Sequence, residues 1–72
     1  MNSHRDNFLD SLEGKRVKIW FKDGDILTGN LMFDVDFGKY RLKNTYNIKK
    51  GFMQHDIVFR KTHIKKLEVS HG

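Results

Sequence analysis

Arg16-Val17-Lys18-Ile19-Trp20-Phe21-Lys22-Asp23-Gly24-Asp25-Ile26-Leu27-Thr28-Gly29-Asn30-Leu31 is the stretch whose reading decides the fold. Val17, Ile19 and Phe21 alternate with Arg16, Lys18, Trp20 and Lys22. A period of two with one apolar face is the pattern of a half-buried β-strand. Asp23-Gly24 is the strongest hairpin-turn dipeptide in the chain, because its glycine accepts the positive φ of a tight turn between twisted strands. A second strand follows from Ile26 to about Val35, with Leu27, Gly29, Leu31, Phe33 and Val35 on one face. A glycine inside that run, at position 29, marks sharp bending or a close backbone approach.

Upstream, Ser3-x-x-Asp6 has the form of a capping box, so a helix is expected over about residues 3–13. Phe8, Leu9 and Leu12 give it one apolar stripe and Gly14 a stop. Downstream, Lys39-Tyr40-Arg41-Leu42-Lys43 reads as a third strand with Tyr40 and Leu42 inward. Residues 44–51 are polar and turn-rich and read as a loop or ragged hairpin end. A fourth strand is expected from about Phe52 to Phe59, with Met53, Ile57 and Phe59 on its buried side. A turn at Arg60-Lys61-Thr62-His63 then leads to a fifth strand, Ile64 to Val69, and Ser70-His71-Gly72 is a frayed tail. A short helix followed by five short strands, about residues 16–69, predicts a mostly β fold: a small, strongly bent antiparallel SH3-like barrel forming one domain over residues 1–72.

The chain has 72 residues, with 14 Lys and Arg against 9 Asp and Glu, a formal net charge of +5. That length excludes a TIM barrel or a dinucleotide-binding α/β fold. So small a domain buries only about 60% of its unfolded surface. With no cysteine it has neither a disulfide nor a thiolate zinc site to make up the difference, so self-association is expected. The lack of cysteine fits a reducing compartment, the cytoplasm or, in a eukaryote, the nucleus. No apolar run approaches the roughly 20 residues of a membrane span, and Met1 to Asn7 lacks a signal-peptide core.

Three features then occur in order: Asp23-Gly24 with Gly29 and Leu31, the corner Asp34-Val35-Asp36-Phe37, and Phe59-Arg60-Lys61-Thr62-His63-Ile64. Together they resemble the Sm/LSm family across roughly Phe8 to Val69. Phe8-Leu9-Asp10-Ser11-Leu12 and Leu42-Lys43-Asn44-Thr45 are more distantly similar to bacterial Hfq. The resemblance implies an Sm fold and a hexameric or heptameric ring that binds single-stranded RNA, as an RNA chaperone or ribonucleoprotein scaffold. Counting from Gly29, Val35 stands at the family's aspartate, Phe37 at its base-stacking aromatic, Gly38 at its methionine and Lys39 at its base-reading asparagine. A slide of one residue puts Asp34 or Asp36 in the acidic role. In the second motif Arg60 matches the arginine, and Lys61 stands where glycine is usual.

The RNA-binding residues implied are Asp36, Phe37, Lys39, Arg60 and Lys61. They combine an aromatic that stacks with cations that neutralise phosphate. Subunit contacts fall on His55, Ile57 and Phe59 at one edge and Leu67 and Val69 at the other; barrel core is the competing assignment for Ile57, Phe59 and Leu67. Trp20 is placed under the helix beside Phe8 and Leu12. The alternative is a second nucleic-acid surface with Arg16, Lys18 and Lys22. The histidines have no metal-ligand spacing and no nucleophile motif occurs, so no metal, cofactor, small-molecule substrate or enzymatic activity is expected. The competing functions are a scaffold of the same fold working through protein contacts, and a DNA- or ribosome-associated SH3-like barrel.

Overall fold

The computed structural model describes residues 6–70. A short helix, α1 (Asn7–Asp10), leads to strands β1 (Arg16–Phe21), β2 (Ile26–Asp34) and β3 (Lys39–Asn47). Two fragments follow, β4 (Phe52–Met53) and β5 (Ile57–Phe59); a single 3-10 turn, Lys61–His63, then precedes β6 (Ile64–Val69). The sheet order is β4-β3-β2-β1-β6, with β5 also on β3, and every ladder is antiparallel. The mostly β expectation holds.

The alternation of β1 becomes a two-sided strand: Val17, Ile19 and Phe21 are buried, whereas Arg16, Lys18 and Trp20 face outward. They join Leu27, Leu31, Tyr40, Leu42 and Phe59 in one core, onto which α1 lays Leu9 and the following turn lays Leu12. Phe59 meets the Phe21 ring edge-on at 5.4 Å, an arrangement favoured by the aromatic quadrupole. Gly29 sits where the β2–β3 register shifts. A Cβ there would lie 2.7 Å from both the Leu42 side chain and the Lys43 carbonyl. Close approach is therefore what this glycine permits. Among the described residues no helix is long and apolar enough to cross a membrane.

Several expectations are corrected. The helix is shorter than residues 3–13: its cap is Asp6, whose carboxylate accepts the Leu9 N–H at 3.1 Å, and Ser3 lies outside the described residues. After Asp10 the chain tightens, with Leu12 N–H and Glu13 N–H reaching back three residues rather than four. Phe8 falls off the apolar stripe and is 56% exposed. β3 continues through residues 44–47, which read as loop because the buried side chains there are polar. Thr45 donates to the Leu42 carbonyl at 2.7 Å, and Asn47 donates to Gln54 at 3.0 Å while accepting the Lys50 N–H. The fourth strand is broken at residues 54–56, and Met53 points outward rather than inward. Val35 leaves the buried face and is 75% exposed. Ser70 is not frayed, since its N–H bonds the Arg16 carbonyl at 2.8 Å. Trp20 lies on the outer face of the sheet, where Leu9 and Leu12 do not reach.

Candidate nucleic-acid interface

The Tyr40–Phe59 pairing between β3 and β5 brings two distant turns to one end of the sheet. One step further along both strands sets Lys39 beside Arg60. The turn from β2 to β3 and the turn from β5 to β6 therefore share an end. The sequence-based choice of Phe37 and Lys39 on one side and Arg60 and Lys61 on the other therefore falls at one end of the sheet.

Asp34 organises the first turn. One carboxylate oxygen accepts the N–H groups of Asp36 at 3.0 Å and Phe37 at 3.2 Å. The other accepts Arg41 Nε at 2.8 Å and Nη2 at 2.6 Å. Hydrogen bonding from Arg41 is the main reason the carboxyl is held below its ordinary value; the Phe37 and Asp36 N–H groups add to it, and partial desolvation opposes them. Gly38 closes the turn at φ +65°. The result displays Phe37, 63% exposed, with the Arg41 guanidinium 5.8 Å from its ring centroid. Asp36 is exposed, and its backbone N–H serves the Asp34 turn.

Arg60 and Lys61 are exposed at the start of the 3-10 turn. Lys61 Nζ is paired with Asp6 at 2.7 Å. That bond is the first cause of a lowered Asp6 pKa, followed by the Leu9 N–H. Tyr40, buried in the core, accepts the Asp6 N–H at 2.7 Å and donates to Asp10 at 2.7 Å. The helix is thus tied to the same end. Among the described residues Lys39 and Arg60 have no ion pair, which leaves them as the cations most available to phosphate.

One residue of this surface, Arg41, was missed by the sequence reading. Of the two acids offered for the corner, Asp34 rather than Asp36 shapes it, and Arg41 braces it. The available signal was an arginine seven residues after Asp34, on the returning strand.

The proposed contact residues occupy two sheet edges. Among the described residues β5 has a ladder only to β3 and β6 only to β1. His55 is exposed; Ile57, Leu67 and Val69 are half-buried against the core. Phe59 is a core residue at 3% exposure, so its side chain has little left to offer a neighbour. Beside β5 runs a groove of about 370 Å³ whose apolar lining includes Phe21, Leu27, Ile57 and Phe59.

This small, bent antiparallel sheet with a short N-terminal helix has solved counterparts in fold. One is described as a novel Sm-like archaeal protein from Pyrobaculum aerophilum, 20% identical, with a TM-score of 0.70 over 90% of this chain and 50% of that one. Another is an SmAP (LSm) protein from Methanococcus vannielii, 18% identical, with a TM-score of 0.66 over 96% of this chain and 100% of that one. The chain spans about half the length of the first and the whole of the second. It has the Sm-like fold. No family model matches the chain, and no curated protein matches it either.

Proposed function

We propose that this protein binds single-stranded RNA at the end of the sheet where the β2–β3 and β5–β6 turns meet, as a subunit of a ring of six or seven copies, serving as an RNA chaperone or ribonucleoprotein scaffold. The observation that supports the reading is the Tyr40–Phe59 register, which puts the turn bearing the exposed Phe37 and the turn bearing Arg60 and Lys61 at the same end of the sheet. Phe37 is the stacking surface for an unstacked base; the cations neutralise phosphates on either side. Asp34 and Arg41 hold the Phe37 turn in shape. Asp36 stays near the base but has no oriented acceptor role. Lys39 has three donors and no acceptor, so it holds a phosphate or a carbonyl but does not read a donor-acceptor base edge. Base preference is therefore weak. Ring closure pairs the β5 edge of one copy with the β6 edge of the next and removes both open edges. His55, Ile57, Leu67 and Val69 line that contact, and Phe59 contributes backbone. The reading is of a binding protein, not an enzyme.

The test is fluorescence anisotropy with labelled oligo-U, oligo-A and oligo-C across salt concentrations, with the assembly followed by native mass spectrometry. Arg60→Ala with Lys61→Ala should lower affinity and flatten the salt slope by about 0.7 per lost phosphate contact, leaving the ring intact. An unchanged slope removes the site from these turns, and monomer alone at micromolar concentration removes the ring.

A further inference from the structure

We infer that the outer face of β1 and β6 is a second, separate binding surface for single-stranded nucleic acid, with Trp20 as its stacking residue. The face is built by the same alternation that builds the core. Arg16, Lys18 and Trp20 point away from Val17, Ile19 and Phe21, and Trp20 stands opposite Lys66 while Lys18 stands opposite Glu68. Between Trp20 and Phe21 the β1–β6 register shifts, so that Lys65 is an extra residue on β6. Such a bulge turns a side chain that would have faced inward, and bulges recur where a side chain is re-aimed for a purpose. Here both Lys65 and Lys66 are exposed.

Charge on this face is one-sided. Glu68 is the acid of the two outward rows and is already engaged by Lys66 at 3.2 Å. Lys18 Nζ and Lys66 Nζ each lie 4.8 Å from the same indole centroid. The ring attracts each ammonium, yet it gathers like charges that an anion would separate and neutralise. Arg16 is held nearby, with Nη2 donating to Thr28 Oγ1 at 3.1 Å, which leaves further guanidinium donors in a fixed plane. Lysine ammonium groups sit on long flexible stems. When they swing to phosphates, they uncover the indole face they had occupied, and a base takes their place. A duplex keeps its bases stacked and offers none. An anionic membrane is the weaker match, because none of the strongly exposed large apolar side chains lies on β1 or β6.

The chain has one tryptophan, so its emission reports on this face and not on the Phe37 turn. The experiment titrates the assembled protein with unlabelled oligo-U and oligo-A and follows Trp20 fluorescence. Saturable quenching that weakens with salt is expected. Lys18→Gln with Lys66→Gln should reduce its affinity on the order of 10- to 30-fold at 0.1 M salt, the loss of two phosphate contacts, with the far-ultraviolet circular dichroism unchanged. Lys61 lines a groove with Lys65 and Lys66, so the control at the turns is Lys39→Ala with Arg60→Ala, which should leave the quenching in place. Anisotropy binding without any Trp20 quenching overturns the inference and spares the site at the turns. Quenching abolished by the Lys39 and Arg60 changes but not by the Lys18 and Lys66 changes also overturns it. Equal quenching by polyphosphate removes base stacking from the claim, and a blue shift with phosphatidylglycerol vesicles alone reassigns the face to membrane.

Discussion

In the turn between β1 and β2, Asp23 accepts the Asp25 N–H at 3.0 Å and Gly24 takes φ +101°. In the turn between β2 and β3, Asp34 accepts the Asp36 N–H at 3.0 Å and Gly38 takes φ +65°. The parts are the same: an aspartate that bonds the backbone two residues on, and a glycine in the positive-φ region. The difference is what else the aspartate does. Asp34 also holds the Phe37 N–H and two Arg41 donors, and its side chain is only 15% exposed. The first turn reverses the chain. The second reverses it and fixes the presentation of an exposed aromatic, which is the property a binding loop needs and a plain hairpin does not.

The largest effect should come from removing the aspartates. Asp34→Ala breaks four hydrogen bonds and strands a partly buried guanidinium, whereas Asp23→Ala removes one exposed bond, so Asp34→Ala should lower Tm by about twice as much or more. Thermal circular dichroism of the two variants checks this, and equal falls would mean that Arg41 adds nothing to the turn. Acid should sharpen the contrast. Asp34 ionises more readily folded than unfolded, so it stabilises the fold above the unfolded value of 3.8 and loses that contribution as pH falls through the lower, folded value. Wild-type Tm should therefore decline below about pH 4. Asp34→Asn should decline less steeply, with the remaining slope owed partly to Asp6, whose carboxyl is also lowered. Coincident curves for wild type and Asp34→Asn would remove the Arg41 pair from the acid response.

The legible part of the fold was the part built from apolar alternation and turn chemistry. Val17, Ile19 and Phe21, the Asp23-Gly24 turn, the close approach at Gly29 and the turn at residues 60–63 all follow from local pattern. What escaped was burial by polar side chains. Thr45 and Asn47 are buried because each finds partners within a few residues or across the hairpin, and no hydrophobic period announces that. The same blindness moved the helix start to Ser3, because a cap is chosen by where the chain enters the core. At the candidate site, the two cationic positions 60 and 61 and the aromatic 37 were readable as residue types. Whether Asp34 or Asp36 shapes the corner depends on backbone direction after β2, and Arg41's part depends on strand pairing. Trp20 was misplaced because alternation says which residues share a face but not whether a helix covers it.

The smallest effect concerns the glycines. Alanine at either position forces a side chain into a positive φ and should cost about 1 kcal/mol, a fall in Tm of about 4–8 °C for a domain of this size. Space does not separate the two sites. A Cβ at position 38 would meet nothing within 4 Å, and one at position 24 would meet only the flexible Lys49 Nζ at 3.6 Å. The angles do separate them. At +65° position 38 falls within the left-handed helical well that asparagine tolerates, and at +101° position 24 lies outside it. Gly38→Asn should therefore recover most of the stability lost in Gly38→Ala, while Gly24→Asn should remain as costly as Gly24→Ala. Urea midpoints for the four variants decide it. Recovery at position 24 and not at 38 would show that the Asp34 and Arg41 bonds, rather than the glycine's own angles, set the shape in which Phe37 is displayed.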